Sequence, residues 1–204
     1  MVAKRTIDLV GALLLLVLVA PVMLAIAAYI VVLDGRPVLF AQERVGRDGT
    51  TFRMLKFRTM WRDNDDSAHR EQNRRELSGE AEADADGSYK DRHDPRIMRG
   101  CSVLRRHSLD ELPQLLNVVR GDMSLVGPRP ALPWEAELFD VRYDDRDTVR
   151  PGMTGLWQVS GRSELSMREM LDLDLTYVRR RSTFGDLGIL LRTPLVVFTA
   201  EGAG

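Results

Sequence analysis

Between Leu9 and Leu33 the chain carries no charged residue, and Pro21 sits near the middle of that run. As a straight helix rising ~1.5 Å per residue, the run would extend ~37 Å, enough to cross a ~30 Å hydrocarbon layer. The chain is therefore expected to meet a membrane. Lys4 and Arg5 precede the run; Arg36, Arg44 and Arg47 follow it. Positive charge marks the cytoplasmic side, and here both flanks carry it. A helix that enters, bends at Pro21 and returns to the same face satisfies both flanks, whereas a straight span satisfies one. Pro21 lacks an N–H and frees the carbonyl of Val17, a gap best placed where water or the rest of the chain reaches it. A cleaved signal peptide, with Ala25-Ile26-Ala27 as the cut site, is the third reading. Asp8 at the mouth of the run and the continuation to Leu33 count against it.

About 170 of the 204 residues follow the apolar run, enough for one domain with its own core. The formal net charge is −1, so no global field favours nucleic acid, and no nucleic-acid partner is expected. Cys101 is the only cysteine, which excludes an internal disulfide. It has no Cys or His partner at metal-ligand spacing and reads as a small packing residue.

Val38–Val45 and Thr51–Arg58 read as strands joined by the turn Gly46-Arg47-Asp48-Gly49. This hairpin carries Arg44, Arg47, Arg53, Lys56 and Arg58, and part of that charge is expected to hold anionic lipid headgroups. Residues 62–94 are polar, with a helix-like stretch Asp65–Leu77 and an acidic loop Ser78–Ser88. Cys101–Arg120 has helical spacing and a stop at Gly121. Ser124–Pro130 reads as a rigid turn, Pro133–Tyr143 as a helix and Arg150–Arg162 as a glycine-rich loop. Met167–Arg181 reads as a helix with charges ordered as the macrodipole prefers. Leu187–Phe198 is apolar and suits a membrane surface.

Asp110 and Glu111 carry the sharpest chemical signal. One reading is structural: Ser108 with Glu111 three residues on fits a capping box, although Pro113 blurs that helix start. The other is chemical. Arg105 and Arg106 lie one turn upstream, Arg129 lies between two prolines, and Arg150 and Arg162 bracket a loop of three glycines. Guanidinium forks match phosphate oxygens. A carboxylate among arginines at a helix start should have a lowered pKa, stay ionised and attack phosphorus. Its neighbour could hold Mg²⁺ against a diphosphate. Adjacent helical residues point ~100° apart, which suits a nucleophile beside a metal ligand better than the facing carboxylates of a glycosidase. His107 reads as a surface residue near the pair, and Trp157 as core or as a stacking platform.

Taken together, the blocks resemble one family along nearly the whole chain. They are Lys4-Arg5…Asp8, Gln42…Arg44-Val45-Gly46, Lys56-Phe57-Arg58-Thr59-Met60, Asp94-Pro95-Arg96, Leu104-Arg105…Ser108 to Gln114, Gly121 to Pro130, and Arg150-Pro151-Gly152…Gly155…Gln158-Val159…Gly161-Arg162. In this order they resemble the bacterial sugar transferases, the small monotopic polyprenyl-phosphate phosphoglycosyl transferases. The resemblance implies transfer of a sugar-1-phosphate from a UDP-sugar to polyprenyl (undecaprenyl) phosphate with release of UMP, a first membrane step of polysaccharide assembly. It implies Asp110 as the nucleophile of a covalent phosphosugar intermediate and Glu111 as the Mg²⁺ ligand. Phosphate-holding arginines of the family match Arg105, Arg129 and Arg162.

The same resemblance implies a mixed, helix-rich α/β fold with a short antiparallel hairpin and surface amphipathic helices. Residues 1–36 would form a re-entrant helix-break-helix, broken at Pro21. Residues 37–204 would form a catalytic domain on the cytoplasmic face of the bacterial inner membrane, with 62–94 as a polar insertion. Many members carry Ser before the proline where this chain has Ala20, so the kink must be stabilised differently. Membrane lipids are implied partners; the oligomeric state is open, a homo-oligomer included. Two rivals remain at this point: a non-enzymatic lipid-surface protein using the same arginines, and a relative that binds donor without turnover.

Overall fold

The apolar run folds as one helix, α1 (Val2–Asp34), which continues through Pro21 instead of breaking into two. Proline forfeits one hydrogen bond, and the apolar helix formers on both sides keep the register. This geometry comes from a computed structural model that describes residues 2–61, 71, 96–161 and 165–199. The expected polar helix and acidic loop of the 62–94 insertion, Glu71 apart, lie outside the described residues, as does Arg162.

α1 has two unlike faces. Asp8, Ala12, Ile26 and Ile30 are buried, with Leu16, Val19 and Met23 packed beside them at helical spacing. On the opposite face Leu14, Val17, Leu18, Leu24 and Val32 are exposed, Val17 to 78% and Val32 to 84%. Pro21 lies on that exposed side. The helix is long and apolar enough to cross a membrane.

Both ends of α1 are tied to the rest of the chain. Near the start, Arg5 donates to the Val118 and Val119 carbonyls at 2.7 and 2.9 Å. The buried Asp8 accepts from the Ser124 hydroxyl at 2.9 Å and the Leu125 N–H at 3.1 Å. Lys4 bridges Asp8 and Asp186 at 3.1 and 2.8 Å. At the far end Arg58 donates to the Asp34, Gly35 and Pro37 carbonyls and pairs with the Asp34 carboxylate. A guanidinium there satisfies last-turn carbonyls and suits the negative end of the helix dipole.

The hairpin forms as read: β1 (Leu39–Val45) runs antiparallel to β2 (Thr51–Phe57), with Leu39 opposite Phe57 and Val45 opposite Thr51. Of its basic residues, Arg53 is exposed, and the others are turned to partners within the chain. Arg44 and Arg58 are buried, Lys56 pairs with Glu111, and Arg47 pairs with its neighbour Asp48. The fully buried Asn117 fastens β2 to the helix beneath it. Its Oδ1 accepts the Leu55 N–H at 3.0 Å, and its Nδ2 donates to the Arg53 carbonyl at 2.8 Å and Asp122 at 3.0 Å.

The Cys101–Arg120 stretch is three pieces rather than one helix. They are α2 (Cys101–Arg106), a single 3-10 turn Leu109–Glu111, and α3 (Gln114–Arg120), which stops at Gly121 as predicted. Ser108 takes φ 52° and makes no capping bond, so the capping box read at Ser108 and Glu111 does not form. An N-cap needs extended backbone, and Ser108 is left-handed. The same Ser-x-x-Glu spacing does close at Ser166 and Glu169, where Ser166 is extended and the two residues cap each other. That box starts α5 (Met167–Arg180).

The stretches read as a rigid turn and a glycine-rich loop contain a two-stranded parallel pair, β3 (Ser124–Val126) with β4 (Gly152–Thr154). Three residues are too few for alternation to show. Backbones here nearly touch: a Cβ on Gly152 would lie 2.1 Å from the Gly127 nitrogen, and one on Gly155 2.5 Å from the Gly127 oxygen. The helix read over Pro133–Tyr143 is a short α4 (Pro133–Ala136) followed by a 3-10 stretch Val141–Thr148. The last helix, α6 (Thr183–Thr199), exposes Phe184, Leu187, Leu191 and Leu195 at helical spacing.

Gly152→Ala should force the β3–β4 junction apart and destabilise the protein by about 2 kcal/mol or more. Thermal unfolding of the detergent-solubilised chain checks this; an unchanged midpoint would contradict the close approach.

Candidate active site

Asp110 sits in the 3-10 turn between α2 and α3 and is 7% exposed. Beside it Glu111 pairs with Lys56, which reaches over from β2 with Nζ 2.6 Å from Oε1. Four charges therefore share one neighbourhood, because Lys56, Glu111 and Arg105 all act on the Asp110 carboxylate. Arg105, at the end of α2, is half-buried. Burial pushes Asp110 up to about 6, Glu111 adds to the rise, and Lys56 and Arg105 only partly offset it. This corrects the lowered value expected from the sequence. Flanking cations are visible in a sequence, while desolvation, which dominates here, is not. The Cys101 thiol at the start of α2 is buried and is also pushed up, by burial and by Asp110. It packs as the sequence suggested. His107 donates from Nδ1 to the Val103 carbonyl at 3.0 Å, since a carbonyl only accepts.

A second group lies around Pro128-Arg129-Pro130. Arg129 is half-buried, with Nη1 3.8 Å from Glu135 Oε2. Glu135 is almost wholly buried, accepts the Leu132 N–H at 2.8 Å, and lies 3.7 Å from Arg44 Nη1. Arg44 in turn donates to the Pro130 carbonyl at 3.0 Å and to Gln42 at 2.7 Å. Burial, with Arg129 adding repulsion, lowers Arg44 to about 9, against the pull of Glu135 and Glu111. Arg44 thus feels both Glu111 and Arg129 and links the two groups electrostatically. Trp157 is buried in a small pocket with Arg129, Phe139, Arg146 and Met167, which favours its core reading.

The structure brings Asp110, Glu111 and Arg105 together, while Arg129 belongs to the Glu135 group and is linked to Glu111 only through Arg44. The sequence reading missed the inward roles of Lys56, Arg44, Glu135, Arg146 and Asp174. One signal was available. Asp174 falls on the apolar stripe of α5, beside Leu171 and Leu175, and an acid on such a stripe is buried with a partner. Among the described residues no three His, Cys, Asp or Glu side chains converge as a metal cage. Mg²⁺ commonly takes only one or two carboxylates and completes its shell with water and substrate oxygens, so the part-exposed Glu111 fits that donor set.

The raised value of Asp110 makes stability depend on pH. The folded state holds that proton more tightly than the unfolded chain does. The stabilisation is complete below about 3.8 and is lost as pH rises through about 6. Asp110→Asn should therefore raise stability at pH 8 by about 1–3 kcal/mol in metal-free buffer, with the gain vanishing near pH 4. Unfolding midpoints of the two proteins across that range test it; an equal or lower midpoint for the variant at pH 8 would contradict it.

The sequence pattern of the family described as Bacterial sugar transferase matches residues 1–200. A UDP-galactose-lipid carrier transferase of Erwinia amylovora is 46% identical over 200 residues, covering 98% of this chain and 41% of that protein. The exopolysaccharide production protein ExoY of Rhizobium meliloti is 39% identical over 201 residues, covering 98% of this chain and 88% of the relative. A UDP-glucose:undecaprenyl-phosphate glucose-1-phosphate transferase of Caulobacter vibrioides is 38% identical, covering 98% of this chain and 71% of its own length. The chain thus spans about two fifths of some relatives and most of others. With a match along nearly its whole length, it belongs to the bacterial sugar transferase family.

Proposed function

We propose that the chain is a phosphoglycosyl transferase that moves a sugar-1-phosphate from a UDP-sugar to polyprenyl phosphate through a covalent bond to Asp110. The observation that carries this reading is the buried Asp110 carboxylate, beside the Glu111–Lys56 pair and within the field of Arg105. With a value of about 6, it is mostly ionised at pH 7 to 8, and a desolvated carboxylate is a better nucleophile than a hydrated one. One Asp110 oxygen bonds to the sugar-bearing phosphorus as the phosphoanhydride bond to UMP breaks, and UMP leaves with that electron pair. An oxygen of polyprenyl phosphate then bonds to the same phosphorus and Asp110 departs. One phosphoanhydride is exchanged for another, so the sequence needs no further energy source.

Arg105 and Arg129 supply the forks for phosphate oxygens, and Arg162 is a third candidate from the sequence. Lys56 holds Glu111 and offsets the charge at Asp110. Glu111 would hold Mg²⁺, whose contribution is to offset diphosphate charge. Relatives are named as a UDP-galactose-lipid carrier transferase, an undecaprenyl-phosphate galactose phosphotransferase and a UDP-glucose:undecaprenyl-phosphate glucose-1-phosphate transferase, which support a UDP-hexose donor and an undecaprenyl-phosphate acceptor here.

The acceptor is an amphiphile with its phosphate at the interface, so the site must lie at the membrane plane. The basic residues on both flanks of the apolar run support the cytoplasmic face, and the docking of α1 supports a re-entrant course. The Lys4–Asp8 end and the Asp34 end dock on the same body, through Ser124 and Arg58 respectively. A straight crossing would separate those ends by ~30 Å of hydrocarbon. The exposed apolar face of α6 supports a second contact with the lipid surface.

Asp110→Asn should lower transfer at least about 10³-fold while the protein stays folded. Mass analysis of the wild-type chain after incubation with UDP-galactose or UDP-glucose alone should show an added hexose phosphate, absent in the variant. Full activity of the variant would overturn the nucleophile assignment, and a lipid-surface protein would acquire no adduct from any UDP-sugar. Removal of divalent metal with a chelator should stop turnover and Mg²⁺ should restore it; indifference to both would remove Glu111 from its metal-binding role.

A further inference from the structure

The turn that presents Arg129 is held in an unusual way. Four consecutive carbonyls, from Pro128 to Ala131, each accept from a different donor. The Gly152 N–H takes Pro128 at 2.8 Å, and the Val45 N–H takes Ala131 at 2.8 Å. The two between them are gripped by buried guanidinium groups: Arg146 Nη2 donates to the Arg129 carbonyl and Arg44 Nη1 to the Pro130 carbonyl. Pro128 and Pro130 stiffen the turn internally, and Pro130 biases Arg129 toward extended backbone. Internal stiffness does not fix where the turn points, and the external donors do.

Arg146 is itself held from two sides. Its Nε donates to Asp174 Oδ2 at 3.0 Å, and both side chains are about 4% exposed or less. Its guanidinium carbon lies 5.4 Å from the centre of the Phe139 ring. Asp174 Oδ1 has no hydrogen-bond partner among the described residues. Burial pushes Asp174 up to about 6, and Arg146 and the Arg129 N–H only partly offset that rise. A buried ion pair is a poor means to stability, since apolar residues of similar volume often serve as well. What such a pair can provide is direction.

We infer that Arg146, oriented by Asp174, is a positioning residue for Arg129: it grips the Arg129 carbonyl and so fixes the line along which the Arg129 guanidinium reaches the donor phosphate. The inference rests on the phosphate-binding role proposed for Arg129. Neither Arg146 nor Asp174 touches substrate; both act through the turn. Lysine at position 146 keeps the charge but not the planar fork that serves Asp174 and the Arg129 carbonyl at once.

The test is a double-mutant cycle on the full chain in detergent, read as affinity for UMP, which needs no chemistry at Asp110. Arg146→Lys should weaken UMP binding about tenfold in the otherwise native chain and less than about twofold when Arg129 is already alanine. Asp174→Asn, nearly isosteric, should behave the same way and replaces Arg146→Lys if that variant does not fold. The same loss in both backgrounds would show a merely structural role and overturn the inference, as would no loss in either. If Arg129→Ala leaves UMP affinity unchanged, the proposed phosphate role of Arg129 fails instead.

Discussion

The buried carboxylate of Asp8 is the joint on which the architecture turns. It accepts from Ser124 and Leu125 on β3 and pairs with Lys4, one helical turn away. Lys4 also reaches Asp186 at the start of α6. Asp186 accepts from the Tyr177 hydroxyl at 2.8 Å, and that hydroxyl lies 3.0 Å from the Val126 carbonyl. Burial and Asp186 push the Tyr177 hydroxyl far above its ordinary range, so it stays protonated and able to donate. The network joins the apolar helix, the parallel strands and the last two helices through groups that would be costly to bury alone. β3 runs straight into Gly127 and the Arg129 turn. The apolar helix and the Arg129 turn are thus two ends of one short, hydrogen-bonded path.

The charges around Asp110 show the opposite balance. Here burial is not fully compensated, and the carboxylate remains close to the point of taking up a proton. A perturbed carboxyl beside a partner charge, carried on a short strained turn with Ser108 at positive φ, is the kind of local cost that functional sites retain. The surrounding chain supports it. α2 and α3 close on either side of the turn, and Asn117 binds α3 to the strand that carries Lys56.

Much of this was legible. The Gly46–Gly49 turn between alternating runs gave the hairpin, and the Gly121 stop gave the end of α3. The ordered charges of α5 gave its span, and the Asp110-Glu111 pair with Arg105 nearby gave the centre of the candidate site. Other features have no local signature. β3 and β4 are three residues each and exist through contact with each other. Ser108 and Ser166 have the same spacing to a glutamate, and only backbone conformation tells them apart. A run of arginines on a hairpin looks the same whether it faces lipid or the interior. Arg44 and Arg58 face inward because each finds carbonyl and carboxylate acceptors there, Pro130 and Glu135 for Arg44 and Asp34, Gly35 and Pro37 for Arg58, all outside the hairpin. The direction of the Asp110 shift was missed for a related reason, since solvent exclusion is a property of the assembled fold.

α1 looks from outside like a detachable anchor, yet it is also a wall of the interior. Ala12 belongs to the same cluster as Leu115, Val118 and Met123, while Ile26 and Ile30 fill a second cluster with Phe57, Met98 and Cys101. Cutting the chain after α1 would uncover both clusters and deprive Ser124 of Asp8 and Arg58 of Asp34. A water-soluble version of this protein is therefore not reached by truncation. It would have to keep α1 and recolour its Leu14, Val17, Leu18 and Val32 side, together with the exposed apolar face of α6, with polar residues, leaving the inner stripe untouched.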